Sequence, residues 1–189
     1  MGLFDALLGK RKVKGPAPDR LFALTTAAIA LDAEHDIRTS GKAAIVFQPL
    51  ATGDFATIVR DMEELVRATG DETGTTMSTT EDSYGYRWMV FDDPDIEDLV
   101  VAVNSVGDAL AVGGYGDRVL CAVFAFTEAG RRLYFIYNYK RGTWYPFVPA
   151  GGAQQRSTEA ELQLRAKLGT ELPVEPELER WFPLWGTPI

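Results

Sequence analysis

Apolar positions recur along the chain at two periods, and the switches between them lay out the elements. From Asp19 onward, RLFALTTAAIAL predicts a helix, or a helix passing into a strand. AAIVFQP, residues 43–49, predicts a short buried strand rich in Ile, Val and Phe. Asp54 opens a helix in which Phe55, Ile58, Val59, Met62, Leu65 and Val66 return every three or four residues, and Gly70 stops it. TTMSTTEDSYGYRWMVFDD reads as a hairpin, two β-rich runs meeting around Glu81 to Gly85. Asp93 as N-cap and Pro94 after it start a helix with Ile96, Leu99, Val100, Val103, Val106 and Leu110 on one face, closed by Gly113 and Gly114. RVLCAVFAF, RLYFIYNY and TWYPFV then predict three strands in succession. Thr158 and Glu161 form a T-x-x-E capping box for a last helix ending at Gly169. The tail LPVEPELERWFPLWGTPI has no regular pattern, but it carries enough apolar mass to wrap onto the body.

The order α, β, α, β, β, α, β, β, β, α, with its strands in antiparallel hairpins, predicts an α+β fold: helices packed on an antiparallel sheet. One domain over residues 19–189 follows, preceded by a separate segment at 1–18. The element order is similar to secretion-chaperone-like folds, a likeness that carries no function by itself.

RLYFIYNYKRGTWYPFVP, residues 132–149, holds seven aromatic side chains around a basic turn. A turn centred on Lys140 and Arg141, with Gly142 left-handed, pairs Tyr139 with Thr143, Tyr137 with Tyr145, and Phe135 with Phe147. Asn138 then faces Trp144, and Ile136 faces Pro146. Both faces of this hairpin are largely apolar, so it is expected to be covered on both sides, with the proline strand at an edge. Base stacking would need exposed aromatics in a basic field, and only Lys140 and Arg141 sit at the tip, inside an acidic body. Core hairpin is the better reading; an aromatic groove near Tyr137, Tyr139 and Tyr145 is the alternative.

The first residues, MGLFDALLGKRKVKGPAP, differ from the rest. Leu3, Phe4, Leu7 and Leu8 share one side of a short helix, and Lys10, Arg11, Lys12 and Lys14 follow at once. Gly15, Pro16 and Pro18 supply a linker. A helix of under three turns is marginal in water alone, so this segment is expected to fold against a surface. Apolar contact followed by concentrated positive charge suits an anionic lipid surface or an acidic partner helix.

Composition narrows the classes. The chain has 189 residues and a net charge of −8, which argues against a general nucleic-acid binder. The four cations near the start make the remainder more acidic still. The longest apolar runs fall well short of a membrane span, and Leu3 to Leu8 is too short for a signal peptide. A sole cysteine, Cys121, excludes an intrachain disulfide and fits a reducing cytoplasm.

Catalytic chemistry finds little to work with. His35 is the only histidine, and nothing in the sequence pairs it with Cys121 as nucleophile and base. One histidine and one cysteine leave no thiolate or histidine-rich zinc site. FDDPDIEDL packs five carboxylates into seven positions, but their place before an apolar face fits helix capping better than an oxygen-ligand metal site. GGYGDR follows a helix and precedes a strand, the reverse of a phosphate cradle. No cofactor is expected, and no enzymatic activity.

Over its whole length the chain resembles the actinobacterial PspA-associated PspAB family. The likeness runs through MGLFDALLGK, DSYGYRWMVFDDPDIEDLVVAVN, LCAVFAF, YNYKRGTWYPFVP and LPVEPELERWFPLWG. It implies a role beside phage-shock-type envelope-stress systems built on PspA, a coiled-coil protein that coats membranes. It brings no catalytic residues with it. The resulting expectation is a cytoplasmic accessory protein, peripheral at the inner membrane face. Leu3, Phe4, Leu7, Leu8, Lys10, Arg11, Lys12 and Lys14 would contact a PspA-like partner or an anionic membrane. The alternative is a module that binds a small ligand or peptide in the aromatic groove, with Trp181 or Trp185 as further lining.

Overall fold

A computed structural model describes residues 18 to 189 except 153 and 170. Four helices and six strands follow in the expected order: α1 (Pro18–His35), β1 (Ile37–Phe47), α2 (Gly53–Thr73), β2 (Thr76–Glu81), β3 (Arg87–Asp92), α3 (Ile96–Val112), β4 (Val119–Glu128), β5 (Arg131–Asn138), β6 (Thr143–Phe147) and α4 (Thr158–Leu168). The strands form one antiparallel sheet in the order β2-β3-β1-β4-β5-β6. Its centre, β1 beside β4, is apolar on both faces, which a sheet tolerates only when both are covered. The helices cover one face, where Phe91, Phe124, Phe126, Phe135 and Trp144 meet Leu24, Leu99, Val103 and Leu164. The C-terminal tail covers the other, with Trp181 and Ile189 set against Val46, Val123, Ile136 and Phe147. The fold is therefore α+β, with an antiparallel sheet packed by helices.

Several boundaries differ from the sequence reading, each for a local reason. Gly70 does not end α2. The helix runs three residues further to Thr73, and left-handed Gly74 donates its N–H to the Gly70 carbonyl at 2.7 Å. Gly70 serves a close approach instead: a Cβ there would lie 2.2 Å from the Thr75 carbonyl oxygen. Asp95, not Asp93, caps α3, accepting the Glu97 N–H at 2.8 Å. Asp93 is buried and occupied, since Thr75 donates its hydroxyl to it at 2.6 Å and Asp95 its N–H at 2.8 Å. Ser157, rather than Thr158, caps α4. Glu161 turns inward to Arg156 and to the Val148 N–H.

The hairpin of β5 and β6 has a register one residue away from the expected one. Asn138 pairs with Thr143, Tyr137 with Trp144, Ile136 with Tyr145, and Tyr134 with Phe147. The Asn138 side chain accepts the Lys140 N–H at 3.1 Å, and its carbonyl accepts the Gly142 N–H at 2.8 Å. These bonds start the turn at Tyr139 and make a four-residue loop closed by Gly142 at φ +64. A one-residue slip sends every β6 side chain to the opposite face. Tyr145 and Phe147 accordingly lie under the tail, while Tyr137 and Tyr139 lie under the helices.

Candidate functional site

The tail holds its place through a few strong polar contacts. Glu175 is buried and accepts from Arg141 at 2.5 Å and from the Thr143 hydroxyl at 3.0 Å. Trp144 brackets the same stretch, donating its N–H to the Pro173 carbonyl and accepting the Glu175 N–H at 2.8 Å. Arg156 donates to the Trp181 carbonyl at 2.6 Å, and Tyr134 donates to the Ile189 carbonyl at 2.8 Å. Trp181 stacks on Tyr145 with centroids 6.5 Å apart. Trp185 meets Phe147 edge-on at 5.2 Å.

Between the tail and the β2–β3 turn this second face stays partly open. A cavity of about 440 Å³ lies there, within the range of ordinary ligand pockets. Trp88, Tyr145 and Cys121 form its floor, Tyr84 and Tyr86 one side, and Phe182 and Trp185 the other. The turn that presents Tyr84 is fastened by Asp82. One carboxylate oxygen accepts the N–H groups of Tyr84 and Tyr86 at 2.9 and 3.0 Å, and the other accepts the Trp88 indole at 2.9 Å. Burial pushes the Asp82 carboxyl up, but the Trp88 bond and the backbone N–H donors outweigh it, so the group lies below the usual range. Asp82 and Lys140 are the two ionisable carboxylate and ammonium groups in the lining. Tyr84 is 69% exposed and Phe182 57% exposed, so two exposed aromatics from separate segments form lips at the cavity's edge.

Of the three tyrosines read as a groove, only Tyr145 lines this cavity. Tyr137 and Tyr139 are buried on the helical face, with rings 5.1 Å apart and edge-on. Leu3, Phe4, Leu7, Leu8, Lys10, Arg11, Lys12 and Lys14 lie outside the described residues. Trp185 lines the cavity, whereas Trp181 packs behind its wall. Asp82, Tyr84, Tyr86, Trp88 and Phe182 were not anticipated. Their signal was present: Tyr84, Tyr86 and Trp88 stand two apart, which places three aromatics on one side of a strand and its turn.

Among the described residues, Cys121 and His35 do not meet. Cys121 is buried in β4 on the tail face, and burial pushes its thiol up to about 12, far from the thiolate that reacts. His35 ends α1 on the helical side, beside Lys167 and Glu171. The acidic run from Asp92 is spent on structure: Asp92 pairs with Lys42, Asp93 with Thr75, and Asp95 with the start of α3. Among the described residues no helix is long and apolar enough to cross a membrane.

Comparison with known proteins adds one result. None of the curated proteins and none of the solved structures searched matches the chain. A family model does, over residues 1–189, and the chain belongs to that family, PspAB: PspA associated protein B.

Proposed function

We propose that this protein is a non-enzymatic accessory factor that docks onto a PspA-like coiled-coil partner at the inner face of the membrane. The observation that carries the reading is the family match over the whole chain, whose name records association with PspA. The amphipathic, basic start of the sequence supplies the docking chemistry. Leu3, Phe4, Leu7 and Leu8 offer an apolar stripe, while Lys10, Arg11, Lys12 and Lys14 offer charge for acidic helices or anionic headgroups. A separation of His35 from Cys121 by the sheet supports a binding role over a hydrolytic one. Deleting residues 1–15 and measuring co-sedimentation with anionic liposomes and with the purified partner tests this. Loss of either signal is the expected outcome, and survival of both contradicts the role given to the segment.

The 440 Å³ aromatic cavity favours a second reading, a module that binds an apolar peptide or small ligand there. Replacing Tyr84 and Phe182 with alanine leaves the core untouched and removes both lips. Unchanged binding of every ligand and partner by that variant would end this reading.

A further inference from the structure

The chain enters α1 close to the cavity. The Arg20 carbonyl accepts the Trp144 indole N–H at 2.8 Å, and the Arg20 guanidinium donates to the Gly142 carbonyl at 3.2 Å. Gly142 closes the same four-residue turn whose Lys140, together with Asn138 at its base, lines the cavity rim. The start of α1 therefore lies at the tip of the β5–β6 hairpin, on the helical side, with the cavity on the other side of that tip. Crossing from layer to layer is a distance of roughly 10 Å. Residues 10–17 span up to about 26 Å when extended, enough to carry Leu3 to Leu8 around the tip with slack. Gly15, Pro16 and Pro18 favour such an extended path over a continuation of α1.

What arrives there fits what is missing. The cavity is walled by aromatic rings, has room for more than one large side chain, and is flanked by two exposed aromatics on separate segments. Apolar surface of that kind gains from being covered. Leu3, Phe4, Leu7 and Leu8 carry the spacing by which an amphipathic helix fills a groove. Charge agrees. Residues 1–14 hold four cations and one acid, Asp5, leaving the remainder with 15 cations against 26 acids. Lys140 on the rim opposes the basic run locally, whereas Asp82 and the acidic body favour it over longer range.

We infer that the aromatic cavity is a docking site for the chain's own first residues, with Phe4, Leu7 and Leu8 seated between Tyr84 and Phe182. This names an occupant for the cavity of the second reading above, and it does not require a PspA-like partner. A partner or membrane that takes the apolar stripe must then compete with this seat.

The test uses the full chain carrying Phe4→Glu and Leu7→Glu, which disables its own segment, titrated with a fluorescent peptide of residues 1–14 at 0.15 M salt, about physiological ionic strength. The peptide is expected to bind this variant and to bind the unaltered chain at least about tenfold more weakly. A tethered segment competes at an effective concentration on the order of 1 mM. Adding Tyr84→Ala and Phe182→Ala is expected to abolish binding, as is placing Phe4→Glu and Leu7→Glu in the peptide, which keeps its cations. Equal binding to the altered and unaltered chains, no binding to the altered chain, or indifference to the lip substitutions would each overturn the inference. So would sedimentation showing that the unaltered chain dimerises in a way abolished by Phe4→Glu and Leu7→Glu, since the segment would then sit on a second copy. Partner binding is measured separately, so the two readings fail independently.

Discussion

Tyr139 and Gly107 make a pair whose energetics can be worked out and measured. Tyr139 is buried on the helical face, and its hydroxyl has no hydrogen-bond partner among the described residues. Burial, its largest influence, pushes the phenol far up, so it stays neutral. The ring occupies the space left by Gly107 in the middle of α3: a Cβ there would sit 2.9 Å from the hydroxyl oxygen and 3.2 Å from Cε1. Removing an unpartnered buried hydroxyl relieves a desolvation cost of roughly 1–3 kcal/mol, offset in part by lost contacts. Tyr139→Phe is therefore expected to raise stability by about 1 kcal/mol. Gly107→Ala gains about 1 kcal/mol of helix propensity. It also incurs roughly 1–3 kcal/mol of overpacking against Tyr139, for a net loss of about 1 kcal/mol. In the Tyr139→Phe background the closest atom is gone, and the same substitution is expected to be neutral or favourable. Urea unfolding of the four proteins at pH 7, followed by circular dichroism, closes the cycle. A coupling of at least about 1 kcal/mol is expected. Additivity within about 0.3 kcal/mol, or a loss of more than about 1 kcal/mol on Tyr139→Phe alone, would refute the reasoning.

The tail yields further predictions. Trp181→Ala removes the ring stacked on Tyr145 and is expected to lose about 3–5 kcal/mol of unfolding free energy in the same urea assay. Glu161→Ala leaves Arg156 and the Val148 N–H without their buried carboxylate and is expected to lose about 3 kcal/mol, a value calorimetry also reads as a fall in Tm. At Glu175, burial pushes the carboxyl up, but Arg141, the Glu177 N–H and the Thr143 hydroxyl pull it below the usual range. A folded-state value below the unfolded one gives stability that is complete above about pH 4.3 and disappears as pH falls through the folded value. Glu175→Gln is thus expected to lower the urea midpoint at pH 7 and to flatten its decline as pH falls below about 4.3. Cys121 is expected to stay unreactive toward a thiol reagent in the native protein at pH 8 and to react in full once urea unfolds it.

Strand and helix order was legible because each element keeps one period across its length: Leu99, Val100, Val103, Val106 and Leu110 are buried together on α3 as their spacing requires. The errors fall where a side chain bonds the backbone locally. Asn138 accepting the Lys140 N–H moved the β5–β6 turn by one residue, and period two turned that small error into an exchange of faces for Tyr145. Asp93, drawn into a bond with Thr75, displaced the cap of α3 to Asp95. The cavity was only half visible for a different reason. Its walls come from the β2–β3 turn and the tail, far apart in the chain, and no short-range pattern joins Tyr84 to Phe182. Trp185 and Tyr145 were recognisable as spare aromatics, while the placement of the tail depends on Glu175 meeting Arg141.

Docking onto a PspA-like partner is most directly tested by titrating the purified coiled-coil protein of the same host into the unaltered chain and into the chain lacking residues 1–15, with calorimetric detection. Saturable binding to the unaltered chain, weakened at least about tenfold by the deletion and by raised salt, is the expected result. No heat with either protein, or equal affinity for both, would contradict it.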